Sequence, residues 1–279
     1  MYRKSFIDIY LKNGFDFDEA KNEVDFALDT LFHFTYKEYM LDKTLEAWQI
    51  SKMNKVIEER VTTRRPIQQI IGQAFFYGRR FFVNEFTLVP RPETELLVST
   101  ALDLVKNIEN PKVLDIGTGT GCIPLTLAME NKNLVADSVD ISKDAIETAK
   151  KNALLHNVFG RVNFIESDLF ENVQDDYHLI ISNPPYIPLK DKESLQIEVR
   201  DYDPPTALFT KDEDGIEFYE KIISEAQNYL LPNGYLAFEL GINQYTLVEK
   251  LLKDNNYTDI QVIRDYNSIE RIITAKVNY

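Results

Sequence analysis

An apolar run leads into three alternating glycines in the stretch Val113-Leu114-Asp115-Ile116-Gly117-Thr118-Gly119-Thr120-Gly121. The residues before the glycines predict a buried strand, and the apolar pattern from Cys122 onward predicts a helix. Glycines at such a junction let the backbone turn sharply and approach a ligand, because no Cβ lies in the way. A strand, a glycine loop and a helix in this order are typical of a doubly wound α/β fold that binds a ligand at the loop.

Strand and helix patterns continue to alternate after this loop. Strands are predicted at 112–116, 134–139, 161–166, 178–182, 235–239, 258–264 and 269–276, and helices at 122–131, 143–157, 215–230 and 243–254. The short connections predict a Rossmann-like α/β domain with a mostly parallel, seven-stranded mixed sheet. The last two strands should pair antiparallel, because Asp265-Tyr266-Asn267-Ser268 joins them without a helix.

The N-terminal part of the chain has a different pattern. Apolar residues recur every three or four positions between Phe17 and Phe34 and again from Leu45 to Pro66, which is typical of amphipathic helices. An aromatic stretch around Gly78 then predicts a β-hairpin. We therefore predict a small all-α domain over residues 1–73, a hairpin linker over 74–90 and the α/β domain over 91–279.

Composition narrows the classes of function. The 279 residues include 31 Lys plus Arg and 45 Asp plus Glu, a net charge of −14, which disfavours a duplex nucleic acid as partner. Apolar runs fall short of the ~20 residues that span a bilayer, and a charge near the N-terminus disfavours a secretion signal. We expect a cytoplasmic protein with no membrane partner. The single Cys122 and the three histidines are not spaced as metal ligands, so no metal is expected; the histidines are His33, His156 and His178.

Asp140 closes the strand that follows the glycine loop. A carboxylate about twenty residues beyond such a loop can accept hydrogen bonds from two ribose hydroxyls. The loop has neither the G-x-G-x-x-G spacing of a dinucleotide site nor the G-K-[ST] of a P-loop. These features predict an adenosine-based cofactor.

The D-x-G-x-G-x-G pattern from Asp115 to Gly121 resembles the loop of class I methyltransferases, which bind S-adenosyl-L-methionine. The resemblance implies that Asp115 lies near the methionine end of the cofactor and that Asp140 holds the ribose. It also implies adenine contacts from Asp168 and Leu169, although a helix cap explains Asp168 equally well. The remaining residues implied to line the cofactor are Gly117, Thr118, Gly119, Thr120, Gly121 and Asn183.

Asn183-Pro184-Pro185-Tyr186 follows the strand at 178–182. The two prolines stiffen the loop and lack N–H groups, so the loop offers acceptors in the Asn183 side chain and the Pro184 carbonyl. Two converging acceptors suit a planar –NH₂ group, and the Tyr186 ring can pack on it. Hydrogen bonds to such a group can hold its nitrogen lone pair toward a methyl donor, so catalysis would rest on positioning and electrostatic stabilisation.

Asn-Pro-Pro-Tyr resembles the motif of methyltransferases that act on planar nitrogens, in adenine of DNA, in guanine of RNA or in the amide of glutamine. Stretches at 69–72, 88–95, 198–208 and 264–271 further resemble the peptide chain release factor N5-glutamine methyltransferases. This resemblance implies methylation of the glutamine in the Gly-Gly-Gln loop of bacterial class I release factors, with the helical domain as recognition module. It implies that the substrate amide contacts Asn183, Pro184, Pro185 and Tyr186, and that the Arg91–Glu95 loop closes over the methionine end of the cofactor.

Two alternatives remain from the residues themselves. A DNA adenine or RNA guanine methyltransferase is disfavoured by the charge of −14 and by the lack of a basic insert interleaved with aromatic residues. A non-catalytic binding module with the same fold is disfavoured by the presence together of Asp115, Asp140 and the Asn183–Tyr186 motif.

Overall fold

The computed structural model of this chain describes residues 2–35, 37–38 and 44–277, and their contacts divide the chain into two compact units. The helical unit comprises Met1–Gln73 and Gln196–Tyr202, and the α/β unit comprises Ala74–Leu195 and Asp203–Tyr279. Residues 1, 36, 39–43 and 278–279, which fall within the two domains predicted from the sequence, lie outside the described residues.

Amphipathic helices build the helical unit, as their apolar spacing predicts. They are α1 (Tyr2–Lys12), α2 (Phe17–Phe32), α3 (Ala47–Thr63) and α4 (Ile67–Ile71). Asp16 caps α2, since its side chain accepts a hydrogen bond from the Glu19 backbone N–H at 2.8 Å. The apolar faces share one core around Tyr10, Val24 and Ile57.

A buried arginine explains why residues 196–202 belong to the helical unit. Arg60 of α3 is only 2% exposed and lies 2.9 Å from Glu19, 2.9 Å from Glu23 and 3.0 Å from Glu198. Its guanidinium also stacks 4.6 Å from the centre of the Phe15 ring. A buried guanidinium needs partners for its charge and for its N–H groups, and Glu198 supplies one of them from a distant part of the chain.

From residue 73 onward the chain alternates between strands and helices. In order these are β1 (Gln73–Phe76), β2 (Arg79–Phe82), α5 (Thr94–Val105), β3 (Lys112–Ile116), α6 (Cys122–Glu130), β4 (Val135–Asp140), α7 (Lys143–Leu155), β5 (Val162–Glu166), β6 (Tyr177–Ser182), β7 (Ile187–Pro188), β8 (Phe209–Thr210), α8 (Glu217–Ala226), β9 (Leu230–Glu239), α9 (Tyr245–Asp254), β10 (Thr258–Arg264) and β11 (Glu270–Lys276). Short helical turns span Leu189–Ser194, Ile197–Arg200 and Pro205–Leu208.

Within the described residues, seven strands form one mixed sheet in the order β10-β11-β9-β6-β3-β4-β5. Strand β11 runs antiparallel to both of its neighbours, and the remaining pairs are parallel. Helices α5, α6 and α7 pack on one face, and α8 and α9 pack on the other. The prediction of a Rossmann-like, seven-stranded mixed sheet with antiparallel last strands is confirmed.

The hairpin of β1 and β2 packs against helix α7 of the α/β unit. Asn152 of α7 accepts a hydrogen bond from the Phe82 N–H at 2.7 Å and donates to the Phe82 carbonyl at 3.0 Å. The same side chain donates to the carbonyl of Thr120 at 2.9 Å. One buried asparagine thus joins the hairpin, which the sequence predicts as a linker, to the glycine loop.

The largest differences from the sequence prediction lie in two stretches. Strand β9 begins at Leu230 rather than at residue 235, and the helix before it ends at Ala226 rather than at residue 230. Leu230 pairs with Tyr177 ahead of a register shift, so Pro232-Asn233-Gly234 lies inside the strand instead of preceding it. Helix α5 is absent from the predicted elements.

Candidate active site

The register of the parallel strands brings the predicted site residues to one edge of the sheet. Ile116 of β3 pairs with Ser182 of β6 and with Val139 of β4. Asp140 of β4 in turn pairs with Glu166 of β5. The residues that follow these strand ends are therefore neighbours, and they include the glycine loop, Asn183 and Asp168. This carboxyl edge is where open α/β sheets bind ligands.

The structure explains why each of the three loop positions is a glycine. Gly117, Gly119 and Gly121 adopt φ of +78°, +53° and +77°, which L side chains rarely adopt. No described atom lies within 4 Å of the position that a Cβ would take at Gly117 or Gly119, so the loop surface is open there. A Cβ on Gly121 would lie 3.1 Å from the Ala149 Cβ, so this glycine permits α6 and α7 to pack closely. Thr118 and Thr120 of the same loop are buried.

Asp115 is fully buried beneath the glycine loop. The Ser138 hydroxyl lies 3.1 Å from Asp115 Oδ2 and 2.6 Å from the Thr118 hydroxyl. Among the described residues, Asp115 Oδ1 has no hydrogen-bond partner. Burial raises the pKa of this carboxyl group to about 7. A buried oxygen without a partner calls for an explanation, and a cationic ligand group supplies one.

Asp140 is held by the backbone around it. Its Oδ2 accepts a hydrogen bond from the Gly119 N–H at 2.9 Å, and its Oδ1 accepts one from the Ser142 N–H at 2.8 Å. Burial raises the pKa of Asp140, while these two hydrogen bonds favour the charged form. Each oxygen keeps a further lone pair, so the oriented carboxylate fits a pair of ribose hydroxyls.

Asp168 and Leu169 lie in a turn after β5. No helix begins at Asp168 within residues 44–277, so the helix-cap interpretation of this residue is wrong. Ser167 holds the turn instead, since its hydroxyl donates to the Leu169 carbonyl at 3.0 Å and accepts from the Asn172 N–H at 3.0 Å. Asp168 is exposed and Leu169 is half-buried with φ +48°. An adenine contact from these two residues stays a prediction.

Asn183 begins the loop after β6, and its side chain is held by a hydrogen bond to Thr94. Its Nδ2 donates to the Thr94 hydroxyl at 3.3 Å, and Thr94 donates to Glu239 Oε2 at 2.7 Å. Pro184 is buried, and burial with the nearby charge of Glu239 raises the pKa of Tyr186 to about 12. A phenol with that pKa stays protonated at neutral pH.

Gln244 fixes the backbone of the same loop. Its Nε2 donates to the carbonyl oxygens of Tyr186 and Asp214, both at 2.9 Å, and its Oε1 accepts from the Gly241 N–H at 3.1 Å. A Cβ on Gly215 would lie 2.2 Å from the Tyr186 carbonyl oxygen, which only glycine avoids. The loop therefore has a defined shape before any ligand binds.

Three residues in these contacts are missing from the sequence-predicted site: Gly215, Glu239 and Gln244. Thr94 lies in the predicted Arg91–Glu95 loop, but its contact with Asn183 is not among the sequence predictions. Glu239 carries a signal that could have revealed it, because it is an acidic residue directly after the apolar run 235–238, at the carboxyl end of its strand. Gln244 and Gly215 lie in loops with no such signal.

The Arg91–Glu95 loop is held by contacts with residues outside it. Arg91 lies 2.6 Å from Asp203 Oδ2, and Glu95 accepts a hydrogen bond from the Tyr77 N–H at 2.7 Å. Burial raises the pKa of Asp203 to about 6, and Arg91 opposes that rise. The closure of this loop over the cofactor stays a prediction.

Cys122 is buried, and two of the histidines contact backbone groups. Burial raises the pKa of the Cys122 thiol to about 12, so it stays protonated. His178 accepts a hydrogen bond from the Lys112 N–H at 3.0 Å, and His156 lies 2.9 Å from the Arg80 carbonyl oxygen. None of the helices that the structure describes is long and apolar enough to cross a membrane.

The chain is similar in sequence to known methyltransferases. The Methyltransferase small domain family matches residues 92–199. A release factor glutamine methyltransferase of Fusobacterium nucleatum is 40% identical over 240 residues, which cover 85% of this chain and 67% of that protein. A release factor glutamine methyltransferase of Flavobacterium psychrophilum is 36% identical over 287 residues, which cover 100% of this chain and 98% of that protein.

A methyltransferase from Pyrococcus furiosus has a similar fold, with a TM-score of 0.53 at 15% identity over 82% of this chain and 99% of that one. At such low identity, the similarity supports a shared fold and nothing more. The two bacterial relatives extend the likeness to sequence over most of both chains. This chain belongs to the family of release factor glutamine methyltransferases.

Proposed function

We propose that this enzyme transfers the methyl group of S-adenosyl-L-methionine to the side-chain amide nitrogen of the glutamine in the Gly-Gly-Gln loop of class I peptide chain release factors. The products are N5-methylglutamine and S-adenosylhomocysteine. One observation carries the proposal: the acceptor pair of Asn183 and Pro184 and the glycine loop follow neighbouring strands in a chain of this family.

The residues at the glycine loop fit the proposed cofactor. Asp115 offers a buried carboxylate oxygen to a cationic group, and Asp140 offers oriented acceptors to a ribose. The open surface at Gly117 and Gly119 leaves room for a ligand against the backbone. When bound, S-adenosyl-L-methionine supplies an electrophilic methyl group on a sulfonium sulfur. We assign adenine contacts to Asp168 and Leu169 as part of this proposal.

The chain's own residues act by position and electrostatics. Asn183 Oδ1 and the Pro184 carbonyl oxygen accept hydrogen bonds from the two N–H groups of the substrate amide. These two hydrogen bonds hold the nitrogen lone pair in line with the methyl group. As the nitrogen–carbon bond forms and the sulfur–carbon bond breaks, the nitrogen gains positive charge, and these two acceptors stabilise it. The nitrogen then releases one proton to solvent. Tyr186 packs on the amide and, being protonated, takes no proton.

We assign release factor recognition to the helical unit and the reaction to the cytoplasm. Adenine in DNA and guanine in RNA share the planar amino group, so nucleic acid is the second candidate substrate. The charge of −14 disfavours it, because nucleic-acid affinity depends strongly on phosphate neutralisation.

The test is methyl transfer from labelled cofactor to a purified class I release factor, beside a Gly-Gly-Ala variant of that factor and duplex DNA. We expect label on the unaltered factor alone, mapped by mass spectrometry to the loop glutamine. Label on DNA, or equal label on the Gly-Gly-Ala variant, would reject the substrate assignment. An Asn183→Ala variant that binds cofactor without turnover would separate an enzyme from a binding module.

A further inference from the structure

Glu239 ends β9 at the same sheet edge as Asn183 and is only 2% exposed. Its Oε2 accepts a hydrogen bond from the Thr94 hydroxyl at 2.7 Å. Burial raises the pKa of this carboxyl group to about 7, while hydrogen bonds from Thr94 and Asn183 favour its charged form. When the carboxyl group is ionised, it can only accept hydrogen bonds, so Thr94 then donates its single hydroxyl proton to the hydrogen bond with Glu239.

The Thr94 oxygen is then left as an acceptor for Asn183. Asn183 Nδ2 lies 3.3 Å from it. A primary amide is planar, with oxygen and nitrogen on opposite sides of Cγ, so engaging the nitrogen on Thr94 turns the oxygen away from it. Asn183 is half-buried, and its hydrogen bond to Thr94 engages the amide nitrogen and leaves Oδ1 on the other side of the group.

Shape alone does not fix the orientation of this amide, because its oxygen and nitrogen are nearly the same size. In the flipped orientation, Oδ1 would face the lone pairs of Thr94 and the carboxylate of Glu239. The –NH₂ group of Asn183 would then face the –NH₂ group of the substrate. Both groups are hydrogen-bond donors, so no hydrogen bond would form between them. One of the two acceptors that hold the substrate nitrogen would be lost.

We propose that Thr94 and Glu239 are positioning residues that hold the Asn183 amide with its oxygen toward the substrate, and so select an –NH₂ group as methyl acceptor. This inference rests on the proposed function, since it states how the amide nitrogen is recognised. Thr94 and Glu239 lie behind Asn183 and act through it.

The kinetic test compares Thr94→Val, which replaces the hydroxyl by a methyl group, with Thr94→Ser, which keeps the hydroxyl. Both full-length variants are assayed with labelled cofactor and a purified class I release factor. We expect Thr94→Val to lower kcat about tenfold or more, with the KM for release factor and the cofactor Kd changed less than about twofold. Thr94→Ser should regain most of the lost rate. Wild-type kcat in Thr94→Val, or equal loss in both variants, would overturn the inference.

A second measurement uses the wild-type chain and needs no turnover. In nitrogen-15-labelled protein, the side-chain –NH₂ signal of Asn183 is assigned by its absence in Asn183→Asp. We expect it to exchange with solvent about tenfold or more slowly than that of the exposed Asn107, because hydrogen-bonded protons must first be released. Exchange as fast as at Asn107 would overturn the inference.

The two measurements separate this inference from the proposed function. If the wild-type enzyme methylates the release factor while the Asn183 amide exchanges freely, the positioning role fails alone. If the wild-type enzyme leaves the release factor unmethylated while that amide is protected, the proposed substrate fails and the orientation of Asn183 stands.

Discussion

At the scale of single residues, Asp115 combines burial, a raised pKa and an oxygen without a partner among the described residues. The pKa of about 7 applies to the protein without ligand. Above that pH the carboxyl group is ionised and attracts a cation, and below it a proton neutralises the charge. A positively charged cofactor must therefore compete with protons as the pH falls.

We predict that the affinity for S-adenosyl-L-methionine decreases as the pH is lowered from about 8 to about 6. An Asp115→Asn variant should bind more weakly at the higher pH and lose most of this pH dependence. Calorimetric titration across this range measures both. Asp176→Asn serves as the control, because Asp176 is exposed. Equal pH dependence in wild type and Asp115→Asn would contradict the assignment of Asp115 to the cofactor.

Tyr186 gives a second prediction at this scale. Its phenol is protonated at neutral pH, so the contribution of the side chain should come from its ring. Tyr186→Ala should lower kcat about tenfold, the equivalent of losing roughly 1.4 kcal/mol of packing in the transition state. Tyr186→Phe should lose much less, because it keeps the ring. Equal losses in the two variants, measured by steady-state methyl transfer, would point to a role for the hydroxyl instead.

At the scale of elements, the loop after β6 owes its shape to two distant loops. Gln244 donates to the Tyr186 and Gly215 carbonyl oxygens at 2.9 and 3.0 Å, so residues after β8 and β9 close around it. A loop fixed in this way needs little reorganisation when the substrate binds.

Gly215→Ala tests that arrangement. The new Cβ would meet the Tyr186 carbonyl oxygen at 2.2 Å, which forces the loop to move. Gly160→Ala is the matched control, since Gly160 also has positive φ, at +103°, but no described atom lies within 4 Å of its Cβ position. Both variants should lose about 1–3 kcal/mol of stability through backbone strain. Only Gly215→Ala should also lower kcat, by about tenfold or more, and a similar kcat loss in Gly160→Ala would remove the link to Tyr186.

The sequence predicts those elements whose signals are local. Strand β3 is predicted with the observed bounds, because an apolar run stops at glycines. Helix α5 is missed because it follows a proline-bracketed loop and lacks a polar cap, since Glu93 makes no side-chain cap hydrogen bond. The start of β9 is misplaced because Pro232-Asn233-Gly234 has the composition of a turn.

The candidate site likewise contains residues that local sequence patterns predict and residues that they do not. Asp115, Asp140 and Asn183 each follow or end a recognisable strand, so their meeting at one edge can be predicted from parallel pairing. Thr94 and Gln244 contribute through contacts that span 89 and 58 residues of chain. Such contacts depend on how helices and loops pack around the sheet, which no local pattern in the sequence encodes.

At the scale of the whole molecule, Arg60 joins chain segments that are far apart in sequence. Replacing it by methionine leaves Glu19, Glu23 and Glu198 close together without their shared cation. We predict that Arg60→Met lowers the unfolding free energy of the helical unit by about 3–5 kcal/mol. Part of this loss should be recovered toward about pH 5, because the crowded carboxylates then bind protons more readily in the folded state.

Urea unfolding followed by the fluorescence of Trp48, the single tryptophan of the chain, reports on the helical unit. Arg65→Met is the control, since Arg65 pairs with the exposed Glu59 at 3.4 Å. This control should cost less than about 1 kcal/mol. Equal effects of the two substitutions would show that the buried cluster has no special weight.

The discontinuous helical unit has a consequence for synthesis on the ribosome. Glu19 and Glu23 are translated before Arg60, whereas Glu198 follows Arg60 by 138 residues. The nascent helices therefore have to persist without one of their acidic partners until much of the α/β unit has emerged. Completion of the first unit is thus coupled to translation of the second, and a fragment that ends at Gln73 reproduces the early nascent state rather than the finished unit.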